Sequence, residues 1–175
     1  GCLRLMHLTN ARYAGPLYRA LNPVYARDPL SGRGAELYGG RFNAKGVAAL
    51  YTALDPAGAL RESNQAGSLQ PTILVSYQAD TGPIFDTRDT GALSKYGMSD
   101  AKLADLGWRA KMLGGQPVPT QNFSEALIEE GYAGLFTRSY AKGATADDFN
   151  IVLWRWTGDG CSLAVVDDEN RLSRL

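Results

Sequence analysis

Histidine and cysteine are almost missing from this chain, with one His and two Cys in 175 residues. The lone His7 removes Ser-His-Asp and Cys-His catalysis unless His7 itself serves, and it stands in an N-terminal stretch expected to be mobile. It also removes most transition-metal sites, which lean on imidazole, so no metal is expected. Cys2 and Cys161 are far apart and in no ligand spacing, which argues against a zinc site and against a disulfide framework. No apolar run approaches the roughly 20 residues of a membrane span, so no membrane partner is expected. The start, Gly-Cys-Leu-Arg-Leu, lacks the apolar core of a secretion signal, and Leu5 stands where myristoylation needs Ser or Thr. A cytoplasmic protein is the expectation.

Net charge is missing too: Lys and Arg total 18, and Asp and Glu total 18. A dedicated nucleic-acid binder shows a basic excess, so direct contact with nucleic acid is not expected. The balance hides an asymmetry. Residues 1–62 carry eight Lys/Arg against four acids. A basic first third suits an anionic ligand such as a phosphate compound, although a basic face that only opposes aggregation gives the same count.

With 45% hydrophobic and 21% charged residues the chain can bury a core without staples, and residues 1–175 are expected to form one domain. Short apolar segments bounded by Gly, Pro and Asn predict strands at Leu17–Leu21, Ala49–Ala53, Thr72–Ala79, Ala133–Ser139, Phe149–Trp156 and Ser162–Asp167. The last two are expected to form a hairpin across Gly158-Asp159-Gly160. Asp55 as N-cap and Pro56 at the first helical position start a helix expected to reach Gln65 and stop at Gly67. Ser99-Asp100 starts a short helix to Leu106, Trp108–Leu113 adds a further turn or two, and Phe123–Glu130 forms an amphipathic helix. Residues 22–40 and 114–120 read as loops and 80–98 as irregular. Strands and helices interleave irregularly, so the fold class is α+β with a mixed, mostly antiparallel sheet and flanking helices, not a doubly wound parallel sheet.

The chemistries left are those run by carboxylates, Tyr, Ser and Arg. In the block YGGRFNAKGVAALYTALDPAGALRE a glycine pair presents Arg41 and Asn43, a strand carries Tyr51, and a helix brings Glu62 eleven residues after it. Arg19 lies upstream in the first strand. Such a set suits cleavage of an N-glycosidic bond to a positively charged base. Nicotinamide leaves NAD as a neutral molecule and needs no proton. A carboxylate can stabilise the oxocarbenium-like transition state, an aromatic ring can stack on the base, and arginines can fork onto a pyrophosphate.

Each residue also has a structural reading. Glu62 can be a solvated helix residue, Tyr51 a core residue beside Leu50, and Arg19 one half of a salt bridge with Glu62 or Glu36. Arg41 behind two glycines is harder to explain as packing, because a glycine pair costs folding entropy. Asn43 and Lys45 suit phosphate or ribose contacts, and Arg27, Arg33 or Lys45 could build an anion pocket. Trp108, Trp154 and Trp156 read as core or interface residues.

The order LYRAL, GGRFNAKG, ALYTALDPAGALRE resembles the RES domain family of bacterial toxins, whose members carry G-G-R-W-N-x-x-G, V-L-Y-T-A and A-L-x-E elements. Phe42 replaces the usual Trp. GYAGLFTRSYAKG and FNIVLW resemble the family's later segments, so the likeness covers about residues 15–156. The resemblance implies a split mixed sheet around an NAD cleft, as in ADP-ribosyltransferases. It implies catalytic roles for Glu62, Tyr51 and Arg41, and NAD contacts from Arg19, Arg41, Asn43, Tyr51 and Ser139. For Ser139 the flanking Arg138 and Tyr140 compete as the pocket-facing residue.

The resemblance also implies NAD as substrate, consumed by hydrolysis, by phosphorolysis, or by ADP-ribose transfer to a protein target such as phosphoribosyl pyrophosphate synthetase. It implies a cognate Xre-like antitoxin as partner, with a segment expected to plug the cleft near Arg19 and Arg41. A non-catalytic nucleotide-binding or interaction module is the alternative from another class.

Overall fold

The computed structural model describes residues 8–63 and 70–167. His7, Cys2 and the expected helix end at Gln65–Gly67 lie outside the described residues. Seven strands form one sheet: β1 (Tyr13–Leu21), β2 (Leu50–Ala53), β3 (Ile73–Thr81), β4 (Ile84–Asp86), β5 (Gly134–Arg138), β6 (Phe149–Leu153) and β7 (Ser162–Val165). Among the described residues six α-helices accompany it: α1 (Arg33–Tyr38), α2 (Pro56–Ser63), α3 (Thr90–Ser94), α4 (Asp100–Leu103), α5 (Trp108–Leu113) and α6 (Pro119–Glu129). No helix among the described residues is long and apolar enough to cross a membrane.

The strand order is β4-β5-β6-β2-β1-β3-β7, antiparallel throughout except for β4 and β5. The mixed, mostly antiparallel sheet expected from the sequence is therefore observed. Its two parts, β4-β5-β6-β2 and β1-β3-β7, meet through the single register pair Tyr18↔Ala53, and α2 packs across that junction on β1, β2 and β3.

The sheet must curl. Strands β3 and β4 stand five places apart in the order, which in a flat sheet is about 24 Å. The chain between Thr81 and Ile84 spans at most about 11 Å. Curling brings the two ends together and encloses one core, with Leu17, Leu21, Leu50, Tyr77, Ile84, Phe136, Ile151 and Leu163 pointing inward. The outer face carries a second core in which Phe85, Leu135 and Val152 meet Leu93, Leu103, Phe123 and Leu127 of the helices. Phe85 is the hub, edge-on to Tyr96, Phe123 and Tyr132 at 5.5–5.6 Å. With both faces covered, β6 reads as a continuous apolar run at Ile151–Leu153 rather than an alternating one.

The local start signals hold. Asp55 Oδ1 accepts from Gly58 N at 2.6 Å and Ser99 Oγ from Lys102 N at 3.3 Å. Helix α6 begins at Pro119, four residues earlier than expected, because Pro fits the first helical position. Residues 22–40 are not all loop, since they hold a 3₁₀ turn at Pro23–Tyr25 and α1.

The expected hairpin between the last two strands is not formed. The turn exists, closed by Gly158↔Cys161 with φ of 75°, 51° and 80° at Gly158, Asp159 and Gly160. Both edges of β6 are already taken, by β2 on one side and β5 on the other. Strand β7 therefore crosses to the open edge of β3.

Candidate active site

The segment after α1 builds the first wall of an outer-face cleft of about 580 Å³. Gly39 has φ of 73°, a value that favours glycine. Gly40 and Asn43 then close a tight turn, with Gly40 N donating to Asn43 O at 2.9 Å, and the turn presents Arg41 and Phe42. Gly40 has a steric reason as well: a Cβ there would overlap the Tyr51 hydroxyl and stand 2.6 Å from Asn43 Oδ1.

Tyr51 sits in β2 on the outer face. Its hydroxyl donates to Asn43 Oδ1 at 2.6 Å and accepts from Phe42 N at 3.0 Å. Burial pushes its pKa well above the ordinary tyrosine value, so it is a neutral donor at physiological pH. Asn43 is buried, and its Nδ2 donates to Ala35 O at 2.8 Å and Val47 O at 2.9 Å. The amide that the sequence suggested as a phosphate or ribose contact is thus turned inward, holding the loop and Tyr51.

Arg41 reaches across to the α4–α5 connection, where Nη1 donates to Leu103 O at 2.9 Å and Asp105 O at 2.8 Å. Its guanidinium lies 5.0 Å from the Tyr140 ring centre and 6.0 Å from that of Trp108. Burial lowers its pKa from the ordinary arginine value, while Tyr140, Glu62, Asp105 and Tyr51 pull it back up. It remains a cation with Nη1 fixed to protein carbonyls. Asp105 is itself held, with a pKa below the usual carboxylate value through Lys111 and the Gly107 amide.

Glu62 stands exposed on α2 opposite this wall. Its Oε1 accepts from Ser139 Oγ at 2.6 Å and from Asn150 Nδ2 at 2.7 Å. Neither Arg41 nor any other cation forms a salt bridge with Glu62 among the described residues. Arg61 pairs instead with Asp148 at 3.3 Å.

The cleft thus brings together Arg41, Tyr51 and Glu62, with Ser139 bonded behind the carboxylate. It does not bring in Arg19. Arg19 shares strand parity with the inward-pointing Leu17 and Leu21, so it points to the face away from Tyr51. There its Nη1 donates to Pro29 O at 3.1 Å. Glu36 pairs with Arg33 at 3.6 Å rather than with Arg19.

The cations lining the cleft are Arg41, Arg109 and Arg138, in place of the expected Arg27, Arg33 and Lys45. Trp108, expected in a core or at an interface, lines the cleft and lies 5.0 Å from the Arg109 guanidinium. Trp154 and Trp156 do pack inside, donating to Phe42 O at 2.9 Å and Leu30 O at 3.0 Å. Asn150 was not singled out from the sequence. Its signal was a polar side chain sharing the outward parity of Tyr51 through Ala53↔Asn150.

The chain is thus an α+β protein with a curled sheet, and its outer cleft sets one anchored carboxylate, Glu62, against Arg41 and the rings of Tyr51, Trp108 and Tyr140. The chain belongs to the RES domain family, whose model matches residues 16–174. Its fold is similar to that of a chain in the crystal structure of the M. tuberculosis MbcT-MbcA toxin-antitoxin complex. That likeness has a TM-score of 0.60 at 20% identity, covering 94% of this chain and 89% of that one. No curated protein matches the chain in sequence.

Proposed function

We propose that this chain consumes NAD by breaking the bond between nicotinamide and ribose, and that it is the toxin of a toxin–antitoxin pair. The observation that carries the chemistry is Glu62: one carboxylate, tied through Oε1 to two neutral donors, across a cleft from Arg41. In the reaction the C1′–N bond of the nicotinamide riboside breaks and its electron pair leaves with neutral nicotinamide. Glu62 stabilises the positive charge that develops on the ribose, as carboxylates do in glycoside hydrolysis. Arg41 binds the pyrophosphate through its remaining N–H groups. The cleft volume lies within the roughly 300–1,000 Å³ of small-molecule sites.

The acceptor follows from charge. Glu62 is the one carboxylate among the described lining residues, whereas three arginines line the cleft. No second base stands among the described lining residues to activate water or a hydroxyl. An acceptor arriving as an anion needs none, which favours inorganic phosphate and release of ADP-ribose 1″-phosphate. Transfer to a protein such as phosphoribosyl pyrophosphate synthetase is the second reading. It is supported by an exposed apolar rim: Leu106 lines the cleft, Leu37 and Tyr38 directly precede the lining Gly39, and Leu113 ends α5, whose Trp108 and Arg109 line it, a surface suited to a macromolecule. The same rim suits an antitoxin of the Xre-like kind, covering the cleft over Arg41. Family membership and the likeness to a toxin–antitoxin chain support the toxin role.

The test is nicotinamide release from NAD by the purified chain in phosphate buffer, in phosphate-free buffer, and in phosphate-free buffer with lysate protein. Release dependent on phosphate supports phosphorolysis, and labelling of a lysate protein supports transfer. A folded chain that releases nothing in all three overturns the enzyme reading and favours a non-catalytic nucleotide-binding module.

A further inference from the structure

We infer that Asn150 is a positioning residue for Glu62: together with Ser139 it locks Oε1, so that Oε2 alone is presented to the substrate. The inference rests on the reading of the cleft given above. Glu62 occupies the last described turn of α2 and is exposed, a place where a glutamate side chain ordinarily samples several rotamers. The two groups that fix it come from the hydrogen-bonded sheet and the residue that follows its strand β5. Asn150 lies in β6, in register with Ala53 on one side and Thr137 on the other. Ser139 follows β5, is buried, and donates its own backbone N–H to Asp148 O at 2.7 Å.

Both donors converge on the same oxygen, at 2.6 and 2.7 Å. Oε2 has no hydrogen-bond partner among the described residues. Both donors are neutral, so they orient the carboxylate without cancelling the charge that the oxocarbenium-like centre requires. A cation in either place would compete with the substrate. Asn150 Oδ1 is buried and accepts no hydrogen bond. The amide is thus placed for what its Nδ2 does, at the cost of an unmet acceptor.

The test compares wild type with Asn150→Ala, Asn150→Asp, Glu62→Ala and the Asn150→Ala/Glu62→Ala double variant. Asn150→Asp keeps the shape but replaces the donor with a second carboxylate that repels Glu62, whereas Asn150→Ala removes the donor without adding charge. Loss of a hydrogen bond to a charged group predicts that kcat falls about 10–100-fold in either Asn150 variant, with KM for NAD unchanged. In the Glu62→Ala background the Asn150 substitution costs nothing further, because it acts only through the carboxylate. Wild-type kcat in Asn150→Ala, or an equal further loss in the double variant, overturns the inference. If wild type releases no nicotinamide, the functional reading fails separately. The tie is then read from melting temperatures of the same proteins, where the double variant must lose less than the two singles combined. Additive losses overturn it.

Discussion

Tyr51 donates its hydroxyl to Asn43 Oδ1 at 2.6 Å, and that bond joins the strand of the site to the loop that carries Arg41. Because Asn43 also holds Ala35 O and Val47 O, its amide serves the architecture of the cleft. Asn43→Ala removes the donor to Val47 O and one of two donors to Ala35 O, which keeps Gly39 N, and takes away the acceptor of the Tyr51 hydroxyl. The expected cost is about 2–4 kcal/mol of stability, read as a lower urea midpoint. A variant of unchanged stability but raised KM for NAD would restore the ligand-contact role suggested by the sequence.

Gly40→Ala probes the same corner from the other side. The added methyl must displace Tyr51 or Asn43. Overpacking of this kind costs about 1–3 kcal/mol, and the shift it forces on Tyr51 and Arg41 lowers turnover by about 10–100-fold. Steady-state kinetics alongside a thermal melt separates the two effects. Full activity would mean that the close approach of Gly40 to Tyr51 is dispensable.

Arg19 and Arg41, the two site candidates among the arginines of the first third, separate cleanly. Arg19→Met removes one hydrogen bond to Pro29 O on the inner face, so a stability loss of about 1–2 kcal/mol is expected, with turnover per folded molecule unchanged. Arg41→Lys keeps the charge but loses the planar fork that spans Leu103 O, Asp105 O and the ligand. It lowers kcat/KM about 10–100-fold. Kinetics on both variants at matched folded fraction checks the pair, and a large effect at Arg19 would place it in the catalytic route after all.

Much of this site was legible in the sequence because its parts are local. The glycine pair, the Asp55-Pro56 start and the spacing from Tyr51 to Glu62 each depend on a few neighbouring residues. Arg19 carried a readable warning, since it shares strand parity with Leu17 and Leu21 rather than with Ala20. Asn150, Trp108 and the path of β7 were not legible. They are set by which strand edges remain open and by how the sheet curls, and no single segment encodes that. Arg109 likewise enters the cleft only once α5 is placed, whereas Arg138 and Tyr140, weighed beside Ser139 in the sequence, do line it.

The buried tyrosines predict an alkaline limit. Burial pushes Tyr13 up to about 12 and raises Tyr51 as well, while both ionise near 10 in the unfolded chain. Between pH 10 and 12 the unfolded state therefore holds fewer protons than the native state. Stability is flat below about pH 10 and falls as pH rises above it. Absorbance at 295 nm followed with a melt at each pH checks this. Tyr13 and Tyr51 should be among the tyrosines that ionise only together with unfolding, and ionisation of all nine in the folded chain near pH 10 would contradict the burial.

The measurement that tests the central claim most directly is nicotinamide release from NAD by wild type and Glu62→Gln side by side. The substitution keeps an oxygen for Ser139 and Asn150 and removes only the charge. Wild type should release nicotinamide and Glu62→Gln should fall at least about 100-fold while melting at the same temperature, as expected for an electrostatic stabiliser of the transition state. Equal release by the two proteins would contradict the assignment of the carboxylate to the chemistry.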